Sequence, residues 1–336
     1  LMFRLQYDPF LADVTHVIVD GVDTRSIHID ILLTYIRTLL PRRNSLRLVL
    51  ISHDDDGHCR QRMQTYFKRL ECVQIAAGTA EAVRACFLED VLKLTRPDAD
   101  AANLRALAQS LDTESEVDLS MVTAVVAFII SSSVDGGILI FMPSAETVAA
   151  VCSMLTGTAP YSDTSRFHIL TLDATGTAES VRHTYSPVGL GVRKIVVATS
   201  IAERVVPVDG IEYVVDTGRT QERKYVSQTS MTFFGVTFAT RAACQRRRAV
   251  AAGGRDGCYF CLLSADRAAR LQLEQQPEIT RMPLTEAILL IQNLQLGNIK
   301  QFLSFTPDPP TSQAVAESVL QLHDIGALER ETDELT

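Results

Sequence analysis

The densest cationic group of this chain is Arg246-Arg247-Arg248, extended by Arg241 and Arg255, with smaller pairs at Arg42-Arg43 and Arg223-Lys224. Guanidinium groups recognise phosphates through charge-assisted, often bidentate hydrogen bonds, although clusters of this size are commonly solvated faces. Cys258-x-x-Cys261 is half of a zinc signature, but no second CxxC or nearby spaced His pair accompanies it. On a strand, residues three apart point to opposite faces, so structural cysteines are predicted there. His53, the run Asp54-Asp55-Asp56, His58 and Cys59 offer metal-type ligands. Adjacent acidic residues after a strand are predicted to form a solvated turn, and no metal site is expected. A phosphate-cradling G-x-x-x-x-G-K-[ST] is absent, and Gly189, Gly191, Gly253 and Gly254 are expected to serve turns.

These groups sit in a chain of 336 residues, 46% hydrophobic and 21% charged, which is ordinary globular composition and enough for two or three domains. No apolar run approaches the roughly 18 residues of a membrane span, and LMFRLQYDPF lacks the order of a signal peptide. A soluble intracellular protein with no membrane partner is expected. Seven scattered cysteines, an odd number, argue against a disulfide framework and for a reducing compartment. The net charge of −8 excludes an electrostatic glue for phosphate backbones, so nucleic-acid contact has to come from local patches. No obligate homo-oligomer is implied. Because the sequence starts with Leu1 and not Met, it is expected to be the ordered part of a longer protein.

The elements that must position these residues read as α/β. THVIVD (Thr15 to Asp20) and LRLVLIS (Leu46 to Ser52) are apolar, β-branched runs, predicted as parallel strands buried on both faces. Ser26 to Leu40 between them has helical spacing and a Ser at its start, giving a strand, helix, strand unit. Arg96 to Asp118 is polar and is predicted as an inter-domain connection or a weak surface helix. A second series follows, with strands predicted at Gly136 to Pro143, Phe167 to Leu172, Val192 to Thr199, Ile211 to Gly218 and Cys258 to Leu263. Helices are predicted at Ala145 to Leu155 and Thr177 to Tyr185, which makes a doubly wound sheet. From Pro283 the pattern is helical only.

Taken together, these segments resemble a DEAH-box RNA helicase from the middle of its first RecA-like domain, through the second, into the winged-helix domain. VTHVIVDGVDTRS resembles the approach to motif II and PRRNSLRLVLIS the strand to motif III. GVRKIVVATSIAE with VPVDGIEYVVDTGR is similar to motif V and the strand after it, and residues 273–328 look like the entry and body of the winged helix. The resemblance implies an incomplete first RecA-like domain over 1–95, a linker over 96–118, a second RecA-like domain over 119–278 and a winged helix over 279–336. It also implies a strand-separating β-hairpin at Lys224 to Thr237, where Phe233 and Phe234 would stack on bases or dock on a neighbouring domain.

The departures from the family point to lost chemistry. Motif II, Asp-Glu-x-His in the family, is Asp20, Gly21, Val22, Asp23 here, so the metal-side carboxylate survives and the water activator does not. Motif III, Ser-Ala-Thr, is Ser52, His53, Asp54. Motif V keeps Thr199 and Asp209 but has Arg204 and Val205 where small hydroxylated residues belong. Motif VI, Gln-Arg-x-Gly-Arg-x-Gly-Arg, is Gln245, Arg246, Arg247, Arg248, Ala249, Val250, Ala251, Ala252, with alanine at both finger positions, Ala249 and Ala252.

The resemblance therefore implies no catalytic residues and a vestigial nucleotide site of Asp20, Ser52, Asp209, Gln245 and Arg246, with Gly21 and Asp23 beside it. RNA contacts are implied for Thr199, Phe233, Phe234, Arg241, Arg247 and Arg248. The alternative holds Gln245 to Arg248 against carboxylates across an empty nucleotide cleft. ATP and Mg²⁺ are expected only if a phosphate loop lies upstream of Leu1. The function implied is that of a pseudo-helicase, a structural or assembly component of a large ribonucleoprotein, with a ribosome or mitoribosome intermediate as the candidate and RNA and proteins as partners. An active ATP-dependent RNA helicase and a protein-only scaffold are the alternatives.

Overall fold

The protein, here a computed structural model, is described at residues 1–52, 57–75, 83–111, 116–189, 191–203, 208–226, 229, 231–253, 257–330 and 332–336. His53 to Asp56, Arg204, Val205, Gly254 and Arg255, singled out above, lie outside the described residues. The chain divides into two compact units, one of residues 1–74, 224–233 and 275–336, the other of residues 75–223 and 234–274.

The first unit opens with α1 (Met2–Tyr7), β1 (His16–Asp20), α2 (Ile27–Leu39), β2 (Arg47–Ile51) and α3 (His58–Tyr66). β1 and β2 pair in parallel with His16 opposite Arg47, and α2 is the crossover. Its N-cap is Ser26, whose side chain accepts the Ile29 N–H, as its place before an apolar-periodic run predicts. Burial on both strand faces is not found. Val17 and Val19 are buried against Leu33, Ile36 and Met63, whereas Ile18 is 64% exposed and Val49 and Ile51 about 40%. Apolar content hides the two-residue alternation here, because β-branched residues occupy both faces and only the helix-packed one is covered.

The second unit begins with β3 (Arg84–Cys86), α4 (Leu88–Thr95), α5 (Ala101–Leu111) and α6 (Leu119–Ser132). It continues through β4 (Gly137–Phe141), α7 (Ala145–Thr156), β5 (Phe167–Leu172), α8 (Ala178–Tyr185), β6 (Arg193–Ala198), β7 (Ile211–Asp216), α9 (Arg241–Val250), β10 (Cys258–Cys261) and α10 (Ala265–Ala269), while the separate pair β8 (Arg219–Val226) and β9 (Met231–Phe238) has its residues 224–226 and 231–233 in the first unit. Its six-stranded sheet has the order β3-β10-β7-β4-β6-β5 and is parallel throughout. Apolar clusters cover both faces. One gathers Val122, Val125, Ile129 and Val151 over Ile138, Ile140 and Ile195, and the other Val181 and Ala251 over Leu139, Val196 and Val214. The doubly wound α/β architecture expected from the sequence is the architecture found. Cys258 packs with the first cluster and Cys261 with the second, on opposite faces as strand geometry requires.

Three predicted boundaries are corrected. Residues 84–95 do not belong with the first domain, because Arg84 to Cys86 pair in parallel with Cys258 to Phe260 of β10. Of the two expectations for residues 96–118, the surface helix is found at Ala101–Leu111 as α5, where Leu104, Leu107, Ala108 and Leu111 form a stripe packed on the second unit's core and not a free linker. The C-terminal helices do not stand alone. α11 (Glu278–Arg281), α12 (Thr285–Asn293), α13 (Ile299–Ser304) and α14 (Ser312–Asp324) bury Leu284, Ile288, Ile291, Phe302 and Leu322 together with Ile27 and Ile31 of α2. α6 carried no expectation, because an apolar run without polar spacing leaves helix and strand undistinguished. Among the described residues no helix is long and apolar enough to cross a membrane.

Candidate functional site

In the second unit, α9 starts at the N-cap Thr240, whose hydroxyl accepts the Ala243 N–H, and this sets the helix phase. With that phase Arg247 turns inward and is 1% exposed. Its Nε donates to Glu203 Oε1 at 2.8 Å and its guanidinium to Asp216 Oδ1 at 2.7 Å. Arg246 donates to the second oxygen of Glu203 at 3.1 Å. Asp216, fully buried at the end of β7, also accepts the Tyr259 hydroxyl at 2.6 Å and the Gly218 N–H at 2.7 Å. Gly218 has φ +68, and a Cβ there would lie 2.3 Å from Leu263, so this turn requires glycine. Two carboxylates are thus met by two guanidinium groups, which is the condition for keeping such charges out of water.

The electrostatics follow from that burial. Desolvation opposes the charge on Arg247, but Asp216 and Glu203 outweigh it and hold its pKa well above the ordinary arginine value. Burial, reinforced by the Asp216 charge, pushes Tyr259 and Cys244 well up and Cys261 up to about 12. A thiol that ionises near 9 in the unfolded chain keeps its proton when folded, so unfolding releases protons at alkaline pH. Stability is therefore expected to fall as pH rises from about 9 towards 12, by about 1.4 kcal/mol per pH unit for Cys261 alone. Urea midpoints at several alkaline pH values, compared with Cys261→Ala, test this. The variant should lose that part of the slope, and identical slopes would refute it.

In the first unit, β1 delivers Asp20 to an exposed position. Gly21 follows in the left-handed region, φ 74 and ψ 39, with its N–H donating to Ile51 O. A glutamate at this position would have to adopt a conformation costing an L-residue about 1–2 kcal/mol. Asp23 lies in the 3-10 turn Val22–Thr24, and Ser52 is exposed after β2. Past this turn, Arg25 (4% exposed) donates to both oxygens of the fully buried Asp30 at 2.9 and 3.1 Å and to Asp308 at 2.6 Å. The Glu278 carboxylate accepts the Ile27 N–H.

The remaining expectations divide. Thr199 is half-buried after β6, Asp209 is exposed before β7, and Gln245 is half-buried on α9. Ala249 is exposed on the last turn of α9, and Ala252 lies in the 3-10 turn after it. Arg241 is exposed, and Arg248 donates to Val83 O at 2.7 Å. Arg247 is corrected as an RNA contact, because burial withdraws it from any backbone phosphate. Among the described residues, the carboxylates that meet Arg246 and Arg247 are Glu203 and Asp216 of the same unit. Phe233 and Phe234 stand on β9, 47% and 66% exposed. Asp216, Tyr259, Arg25, Asp30 and Asp308 are given no role by any motif singled out from the sequence. An Asp-Thr-Gly ending a buried strand was the available signal for the first.

No family model matches the chain. The ATP-dependent DNA/RNA helicase DHX36 of Homo sapiens is 28% identical over 375 residues, covering 99% of this chain and 37% of that protein. The ATP-dependent RNA helicase DHX29 of Mus musculus is 27% identical over 390 residues, covering 100% of this chain and 28% of its own length. The chain spans about a third of the length of these curated relatives. Among solved structures, the DExH-box NTPase HrpB of E. coli matches with a TM-score of 0.76 at 21% identity, over 100% of this chain and 37% of that one. That likeness extends the doubly wound description to a RecA-like fold.

Proposed function

We propose that this chain, a relative of the DEAH-box helicases, is part of a helicase-like protein that does not hydrolyse nucleotide and serves as a structural or assembly component of a large ribonucleoprotein. The observation that carries the reading is the state of α9: alanine at 249 and 252, with Arg246 and Arg247 committed to Glu203 and Asp216. In the family that the motifs resemble, arginines at the two alanine positions stabilise transition-state charge, and such a finger is worth about 10³–10⁵ in rate. The nearby arginines cannot stand in without uncovering two buried carboxylates. Gly21 further removes the group that would orient the attacking water. Asp20 retains an exposed carboxylate of the kind that binds Mg²⁺.

A ribosome or mitoribosome intermediate is the candidate assembly, by analogy at the level of the fold class. The deciding measurement is phosphate release from ATP by the purified full-length protein, with and without RNA. No turnover above background is expected, whereas RNA-stimulated turnover near one per second would make the protein an active ATP-dependent helicase, as its relatives are named. Cross-linking in cell extract separates the remaining alternative, since a protein-only scaffold would yield no RNA adducts.

A further inference from the structure

A cationic face on the first unit stands apart from the motif residues. From Gly57 to Leu70 the sequence carries Arg60, Arg62, Lys68 and Arg69 and no acidic residue, in a chain whose net charge is −8. α3 buries Cys59, Met63 and Tyr66, so its other positions turn outward. Arg60 and Arg62 have partners of their own, Asp308 for Arg62 at 3.1 Å, and are set aside. Lys68 and Arg69 follow in an exposed turn closed by the Leu70 N–H donating to Phe67 O. The exposed Arg37 of α2 lies over the Tyr66 ring, 4.4 Å from its centroid, which brings a third cation to the C-terminal end of α3. Arg37, Lys68 and Arg69 form no ion pair among the described residues. The carboxylate that meets α3, Asp308, is already shared by Arg25 and Arg62.

We infer that Arg37, Lys68 and Arg69 form an RNA-backbone contact surface, taking phosphates without regard to base sequence. This rests on the reading that the protein works in a ribonucleoprotein. Phosphate groups fit the face because three exposed cations without a carboxylate partner among the described residues, Arg37 steadied on the Tyr66 ring, gain by releasing condensed counterions from a polyanion. The chain's overall acidity confines such contact to patches of this kind.

The test uses the full-length protein, a 20-nucleotide poly(U) probe and the exposed-residue variant Lys68→Glu/Arg69→Glu, with unchanged thermal melting as the control for folding. At 0.1 M salt the variant should bind at least tenfold more weakly, and the slope of log affinity against log salt should flatten by about 1.4, at about 0.7 per lost single-strand phosphate contact. The milder Lys68→Gln/Arg69→Gln should show the same flattening. Wild-type RNA binding with an unaltered slope in both variants would overturn this surface while leaving the ribonucleoprotein reading standing. Absence of wild-type binding at every salt concentration would overturn both. Poly-L-glutamate competing as well as poly(U), with equal loss in the variants, would assign the face to an acidic protein instead.

Discussion

Arg247→Ala is expected to destabilise the second unit by about 3–5 kcal/mol, the cost of breaking a buried ion pair from one side. The substitution takes the guanidinium from the fully buried Asp216 and leaves the buried Glu203 carboxylate with its Arg246 contact. Arg248→Ala, one residue away and exposed, should stay within about 0.5 kcal/mol. Urea denaturation of the two variants side by side measures the contrast. Adding Asp216→Asn and Glu203→Gln to Arg247→Ala should return part of the loss, because the uncompensated charges are then removed. Equal midpoints for the two single variants would end the structural interpretation of motif VI and reopen phosphate binding by Arg247.

Asp30→Ala should cost about 3 kcal/mol and loosen the C-terminal helices together with the turn after β1. Asp30 is fully buried and holds the Arg25 guanidinium through two oxygens, while the same guanidinium reaches Asp308 in the segment before α14. Arg25 also has φ +51, a left-handed conformation that a non-glycine residue keeps only where surrounding contacts enforce it. Asp308→Ala should be milder, since Asp308 is 34% exposed and its loss can be made good by water. Hydrogen exchange is the informative readout. In Asp30→Ala, protection should fall in both residues 20–33 and residues 300–322, and a loss confined to α2 would show that the bridge does not couple them.

The long apolar strands and the α7 and α8 starts were legible because their signals are local. β4 is apolar at every position and β6 and β7 carry the apolar runs Ile195 to Ala198 and Tyr213 to Val215, because the sheet is covered on both faces, and Ser144 and Thr177 cap α7 and α8. The exposed face of β1 and β2 was not legible, since Ile18 and Val49 look the same in sequence whether covered or bare. β3 was missed because three residues carry no pattern until β10 lies beside them.

The motif VI region shows where the boundary falls. Residue types alone determine that Ala249 and Ala252 cannot stabilise a phosphoryl transition state and that Gly21 cannot activate water, because alanine and glycine have no group to do it. Residue types do not determine what Arg246 and Arg247 do, since a guanidinium suits a phosphate and a carboxylate equally well. The tertiary structure decided that: it folds Glu203 and Asp216, 44 and 31 residues from Arg247 along the chain, against α9, and a buried carboxylate requires its cation there.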